Sequence, residues 1–540
     1  MSTHTAAATD PPPRAWLSAL DGRHVAAAAV VISVLLVAIG PRSAPAFVGL
    51  VLMGSAVAAV AAYRWPLATL VAASLLTLTD GEIAPRLFPP GVDLGPIGLS
   101  EPILFVAGTV IVICAARRGA IPSALRDLAI GLVVAFVAVA VVSAVVNRVP
   151  PVVALLGIAI TVDAIAIYAV ARMIRIDDRA AGLVIAALVA TVVSVAIIGI
   201  AQVVIAPTIL GFSGMRGAFG EGVRISSVMG SPNMVAAVIG LALPFALFGS
   251  RHLPDHRLRW LARIALVVLL LALLLTFSRG GWLAVGVGGL VGALVVDWRT
   301  VGVLAIAGAI AWAGSIVLPR DLAVASVDRA SPTPAVTAPA VTGPISASPT
   351  PAPTSAASPG QTSSAAPSEP PSIFESTIRR FLSLSDPNDT RGRYLRDGLR
   401  IVAANPVLGV GPGRYGGAAA AIIPSPIYEQ YDATLFTYRT VHNFWLHLLG
   451  ESGIVGTLLF VALVVLVLVR LLRAARRAAG IRLVLLGGAA TMLMVVSLHS
   501  ATEMLFEGNM PAILIWLLLG IASTFLPLAT SSAARPAAPA

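Results

Sequence analysis

The stretch "VHNFWLHLLGESGIVGTLLFVALVVLVLVRLLRAARR", residues 441–477, decides the fold. From Gly453 to Leu472 it is almost wholly apolar. That run has about the 20-residue length that a helix needs to cross a ~30 Å hydrocarbon core. In lipid a helix satisfies every backbone amide within its own segment, so the run reads as a membrane-spanning helix. Arginines close one end of it. At the other end stand His442, Asn443, His447 and Glu451, and the reading has to explain why titratable groups gather there.

Working outward, similar runs recur along the chain. Their limits are 25–40, 45–63, 65–79, 101–116, 127–146, 151–171, 180–206, 233–249, 260–277, 281–297, 301–318, 453–472, 482–499 and 510–527. The pattern predicts an all-α polytopic membrane protein with about fourteen spans, in the range of twelve to fourteen. A chain that is 58% hydrophobic and 11% charged has no soluble alternative. "SAPA" at 43–46 has the form of a cleavage site, but the long, weakly basic leader before it favours a retained first span. The formal net charge is +11, and every basic residue is an arginine. The arginines are scattered over many short loops, which argues against nucleic-acid binding. Cys114 is the only cysteine, which excludes an intrachain disulfide and a cysteine-based metal cluster.

Arginine placement sets the orientation. With residues 1–24 as a cytoplasmic leader, the inner loops hold "RRGAIPSALR" (117–126), "RMIRIDDR" (172–179), "RHLPDHRLRWLAR" (251–263) and "RLLRAARRAAGIR" (470–482). Short outer loops hold only Arg42, Arg86, Arg148, Arg216, Arg224 and Arg279. Both termini are then expected in the cytoplasm of a bacterial cell, with residues 528–540 as a tail. The long segment 319–441 faces the extracytoplasmic side, with the bundle 25–318 before it and the helices of 442–527 after it. Within that segment, residues 330–371 are almost entirely Pro, Ala, Ser and Thr, and so form an extended tether. In "DPNDTRGRYLRDGLRIVAANP", Asp389 or Thr390 suits a helix start. Leu395, Leu399 and Val402 share one face, Pro406 ends the helix, and "GVGPGRYGG" (409–417) is a glycine-rich turn.

Four polar elements share the outer face. They are "GVRISSVMGSPNMVAA" (222–237), "TFSRGGWLAVG" (276–286), the arginine helix running into "NPVLGVGPGRY", and "VHNFWLHLLGESG". A guanidinium stays charged and grips a phosphate or pyrophosphate as a fork. Glycine-rich backbone adds amide donors to an anion. An imidazole takes a proton from a hydroxyl nucleophile near neutral pH. Taken singly, each residue has a plainer explanation: an interfacial arginine snorkels, Glu451 caps or orients a helix, and His447 lies on a structural face. Asp163, inside an apolar span, reads as a packing or hydrogen-bonding residue.

The combination resembles the O-antigen ligase and O-antigen polymerase superfamily of bacterial membrane glycosyltransferases. It is carried by "RISSVMGSPNMVA", "FSRGGWLA", "TRGRYLRDGLRIVAANPVLGVGPGRY" and "HNFWLHLLGESGIVGTLLF", in that order, over about residues 210–470. The resemblance implies a helical bundle akin to other polyprenyl-lipid-dependent transferases (GT-C-like). It implies transfer of a glycan from a polyprenyl pyrophosphate donor to a hydroxyl of a glycan, lipid or protein acceptor, without cofactor or metal. By motif position His442 is the general base. Arg224, Arg279 and Arg391 hold the pyrophosphate, and Asn443 orients His442. Arg393, Glu451 and Asn233 support them. Arg391 is preferred to Arg393 because it stands 15 residues before Pro406. The tether is foreign to the family pattern, as is Ser226 where a second arginine is usual. Ligase and polymerase stay open. The rival readings are a multi-pass transporter or lipid-linked oligosaccharide flippase, and a non-catalytic envelope-assembly scaffold.

Overall fold

The computed structural model describes residues 44–79, 100–119, 121, 127–216, 223–317, 390–416, 427, 442–508 and 510–526. The expected first span 25–40 and the tether 330–371 lie outside these residues. The helices are α1 (Ala44–Arg64), α2 (Pro66–Leu76), α3 (Ser100–Arg117), α4 (Leu128–Val146), α5 (Pro151–Arg172), α6 (Asp178–Val204) and α7 (Pro232–His252). They continue with α8 (His256–Leu275), α9 (Arg279–Asp297, with a π turn at Ala284–Gly288), α10 (Thr300–Val317), α11 (Thr390–Ala404), α12 (Phe444–Ala475), α13 (Gly480–His499) and α14 (Ala512–Ser523). Every expected span after the first falls on one of these helices. Among the described residues, 9 helices are long and apolar enough to cross a membrane. The protein is an integral membrane protein with a mostly helical bundle.

Three sequence expectations need correction. The chain is not purely α-helical: β1 (Thr208–Ile209) pairs with β2 (Phe212–Ser213), and β3 (Met215–Arg216) with β4 (Val223–Arg224), both antiparallel. Periodicity over two-residue strands is too short to read. The expected spans 65–79 and 510–527 are helices of 11 and 12 residues, the longer about 18 Å, and both fall short of a bilayer core. α14 is buried along its length against α5 and α13, so it fills the bundle's interior. The expected span 453–472 is part of a longer helix that begins at Phe444 and breaks at Gly453.

α7 is the hub. Of its 18 most apolar residues 89% are buried, against a third or so for most other spans, and it packs on α8, α13, α6, α9 and α10. Phe245 and Phe248 fill the space left by Gly488 and Gly487 on α13, where a Cβ would collide with a ring or with Val296. Small residues thus set the helix–helix distance, as is usual in membranes.

The two ends of the bundle differ in charge chemistry. At one end aspartates cap helices and meet arginines. Asp127, Asp177 and Asp255 accept backbone amides at the starts of α4, α6 and α8. Asp127 pairs with both Arg172 and Arg470, Asp178 with Arg482 at 2.7 Å, and Asp297 with His252 at 2.9 Å. Burial pushes the Asp127 carboxyl up, but the Arg470 hydrogen bond, the Ala129 amide and the two guanidinium charges outweigh it and hold the group below its ordinary 3.8. A depressed carboxyl contributes stability that is present above its ordinary pKa and is lost as pH falls through the folded value. Asp127→Asn keeps the cap but leaves two arginines without their anion, at a cost of about 3 kcal/mol. The variant should melt earlier than wild type in detergent at pH 7, and the gap should close below about pH 4. An equal gap across that range would show that the charge pair contributes nothing.

The break in α12 shapes the opposite end. Phe444 and Phe460 are 16 positions apart, about 24 Å on a straight helix. Their ring centroids are 5.2 Å apart. The chain must therefore turn back at Gly453, whose φ of 62° and ψ of −169° only glycine adopts at low cost. Residues 444–452 form a short arm folded against the long arm. The backbone groups freed by the break are taken up by residues 406–411. Val410 N donates to Gly450 O at 2.8 Å and Gly411 N to Glu451 O at 3.0 Å. In return Ile454 N donates to Pro406 O at 2.9 Å and Val455 N to Val407 O at 3.4 Å. The turn is also held from α4, by Ser143 Oγ on Leu408 O at 2.6 Å and by Asn147 Nδ2 on Gly409 O at 3.1 Å.

Candidate functional site

The short arm begins at the polar end of the bundle. Asn443 caps it, its Oδ1 accepting from Leu446 N at 3.1 Å, and Phe444 N donates to Ser500 O at 2.8 Å. Asn443 thus fixes His442 through the backbone that precedes the cap. His442 has a φ of 50°. Ser227 and Phe277, on the neighbouring segments, also have left-handed backbones, at 48° and 50°. Such conformations cost on the order of 1 kcal/mol or more and collect at functional sites.

His442 Nδ1 lies 3.3 Å from Glu503 Oε2, and the other carboxylate oxygen accepts from Asn233 Nδ2 at 2.7 Å. Glu503 is buried while the His442 side chain is 37% exposed, so the imidazole is open to a reactant. When Nδ1 of the neutral ring donates to the carboxylate, Nε2 carries the lone pair. That is the arrangement of a base with an orienting carboxylate. The Tyr394 ring stands 6.1 Å from the imidazole.

Arg224 and the turn that carries Arg279 share one corner. Arg224 leaves β4, and its Nε donates to Thr276 O at 3.0 Å, just past the end of α8. Three residues on, Arg279 opens α9 behind the Ser278 cap, whose Oγ accepts from Gly281 N at 3.4 Å. A Cβ on Gly280 would fall 2.0 Å from Thr502 Oγ1, so this turn lies directly on the loop that carries Glu503. Gln202 supports the Arg224 ribbon from the end of α6. Its amide donates to Phe212 O at 3.1 Å and accepts from Ser226 N at 3.1 Å and Ser227 N at 2.9 Å.

Of the residues singled out in sequence, Asn233 and His442 therefore meet on one loop, 500–504, with Arg279 next to Gly280 beside it and Arg224 bonded to Thr276 just before that turn. Arg391 and Arg393 stand in the first turn of α11, next to Tyr394, and only their backbone is described. Glu451 does not join this group. It sits in the last turn of the short arm, buried, with Oε1 accepting from Tyr415 N at 3.0 Å. Asp163 caps no partner from another helix that the hydrogen bonds show; it accepts from Ala164 N of its own helix.

Glu503 and its neighbour Glu507 were missed by sequence reasoning. Both lie in "HSATEMLFEG" (499–508), between two runs read as spans. The signal was available: two acids and no arginine in a short loop on the face assigned outside. Their burial was not, because it depends on the loop dipping into the bundle, where Phe506 stacks among Phe444, Phe460 and Trp516.

The fold and site define a polytopic helical membrane protein with a histidine–carboxylate pair and an arginine corner at one end of its bundle. Residues 264–461 match the family described as O-antigen ligase. The match supports the resemblance to the O-antigen ligase superfamily over the residues from α8 to α12. Arg279, Arg391 and His442 lie within the matched residues, whereas Arg224, Asn233 and Glu503 lie outside them. No curated protein matches the chain.

Proposed function

We propose that this protein is a membrane glycosyltransferase of the O-antigen ligase or polymerase type. It transfers a glycan from a polyprenyl pyrophosphate to an acceptor hydroxyl on the extracytoplasmic side of a bacterial plasma membrane. The observation that carries the reading is the His442–Glu503–Asn233 chain beside the Arg224–Arg279 corner. His442 Nε2 takes the proton of the acceptor hydroxyl as its oxygen attacks the anomeric carbon. The bond to the pyrophosphate breaks, and the guanidiniums, with Arg391 as a third, stabilise the leaving pyrophosphate. The aspartate- and arginine-rich end faces the cytoplasm by the positive-inside rule, which puts the site outside.

The test is turnover of lipid-linked glycan in membranes. Wild-type protein should release polyprenyl pyrophosphate and lengthen or attach the glycan; unchanged donor would sink the proposal. Arg279→Ala removes a charge-assisted contact worth about 1.5–3 kcal/mol, so the donor KM should rise tenfold to a hundredfold. An unchanged KM would remove Arg279 from the donor site.

A transporter or flippase is the second reading, favoured by the broken helix, since transporters bind substrates at such breaks. Here the freed backbone groups are bonded to residues 406–411 and do not line a cavity. A transporter would move the lipid-linked glycan and leave it intact.

A further inference from the structure

A second histidine–glutamate pair bridges the same two segments as the first. His447 is five residues after His442 on the short arm, and Glu507 is four residues after Glu503 on the loop. His447 Nε2 lies 2.9 Å from Glu507 Oε2 and 3.8 Å from Glu451 Oε2. Its Nδ1 lies 3.0 Å from Tyr415 O, and its ring stacks on Tyr415 with centroids 5.8 Å apart. The two pairs differ in exposure: His442 is reachable, while His447 is 2% exposed and Glu507 9%.

Hydrogen-bond chemistry fixes the His447 ring. A carbonyl only accepts, so Nδ1 carries a proton towards Tyr415 O. Nε2 faces carboxylate oxygens at ion-pair distance, 2.9 Å from Glu507, without the alignment of a hydrogen bond. The Tyr415 carbonyl and the stacked Tyr415 ring hold the imidazole in this orientation. Glu451 is held in turn by Tyr415 N, which belongs to the turn welded to the Gly453 break.

We propose that His447 and Glu507 are positioning residues for His442, forming a sealed rung that sets the register of the exposed His442–Glu503 rung. The proposal rests on the transferase reading for its kinetic consequence, but not for its geometry. His447 bridges the short arm, the 409–416 turn and the 500–508 loop. Without the imidazole between them, Glu507 and Glu451 lose their shared partner in a buried site, and the loop loses its tie to the arm. Glu503 is carried on that loop and moves with it. Replacing Glu507 by glutamine as well restores the tie, because two amides hydrogen-bond in place of the pair.

The test is a double-mutant cycle on the full-length protein in membranes and in detergent. His447→Gln should lower lipid-linked glycan turnover about tenfold or more, mainly in kcat, and His447→Gln/Glu507→Gln should recover most of it. Independently of any activity, carbethoxylation of His442 by diethylpyrocarbonate, followed by mass spectrometry, should speed up in His447→Gln and return towards wild type in the double variant. Unchanged His442 reactivity in His447→Gln overturns the proposal, as does altered reactivity that the double variant fails to restore. If His447→Gln does not accumulate, Glu507→Gln alone decides: it keeps the Glu451 partner at 3.8 Å, so its His442 should react faster than wild type in a protein that still folds. Loss of all turnover readouts with the reactivity pattern intact would overturn the transferase reading and leave the rung standing.

Discussion

Membranes carrying His442→Ala at wild-type protein level should turn over lipid-linked glycan about 10²–10⁴-fold more slowly than wild type, the range that a positioned general base contributes. Glycan-loaded carrier accumulates and product vanishes. The fall should appear in kcat, because the arginine corner still binds the pyrophosphate of the donor. The variant should insert and melt normally. The His442 side chain is 37% exposed, and its loss leaves the buried Glu503 with the Asn233 amide still on its other oxygen. Turnover within threefold or so of wild type would show that no proton passes through this imidazole. The transporter and scaffold readings would then gain. A large fall confined to the donor KM would instead make His442 a binding residue.

Gly453→Ala should have the largest effect on the fold itself. A Cβ at this position would lie 2.2 Å from Val407 O, on a backbone with φ of 62° that L residues rarely adopt. Neither strain relaxes alone, because Ile454 N and Val455 N are bonded to the same 406–407 segment. The cost is about 3 kcal/mol or more, from the backbone and the overpacking together. The short arm would straighten or lose its hold on the 406–411 turn. Purified protein should melt well below wild type, and the Phe444–Phe460 contact should be lost, measurable as slowed or absent cross-linking of cysteines placed at the two positions. Alanine tolerated with an unchanged melting point would show that the break is not imposed by this glycine.

Much of the fold was legible because membrane helices are written in composition. Runs such as 181–204 or 260–275 admit no other element, and the arginine loops sort to one end as the charge rule expects. The limits of α12 were not legible, since Glu451, Ser452 and Gly453 look like the start of a span and are the inside of a hairpin. Helical periodicity is blind to a reversal paid for by hydrogen bonds from a segment more than forty residues upstream. At the site, residue type and order pointed to His442, Arg224, Arg279 and Asn233. The carboxylate that joins two of them was hidden. Glu503 is 61 residues from His442 and 270 from Asn233, and nothing local marks it as buried. His447 shows the converse: its sequence suggested a structural face, and burial between two acids gives that face a chemistry.

The loop 500–508 also has a bearing on biosynthesis. Helices enter the membrane in the order in which the ribosome makes them, and this loop follows every other part of the site along the chain. Until it emerges, His442 has no carboxylate behind it, and the short arm has nothing to close against. A nascent chain that already holds α4 to α12 in the bilayer therefore lacks the carboxylate beside the proposed base. That partner arrives only with the α13–α14 hairpin, whose loop threads its two acids back among helices made long before.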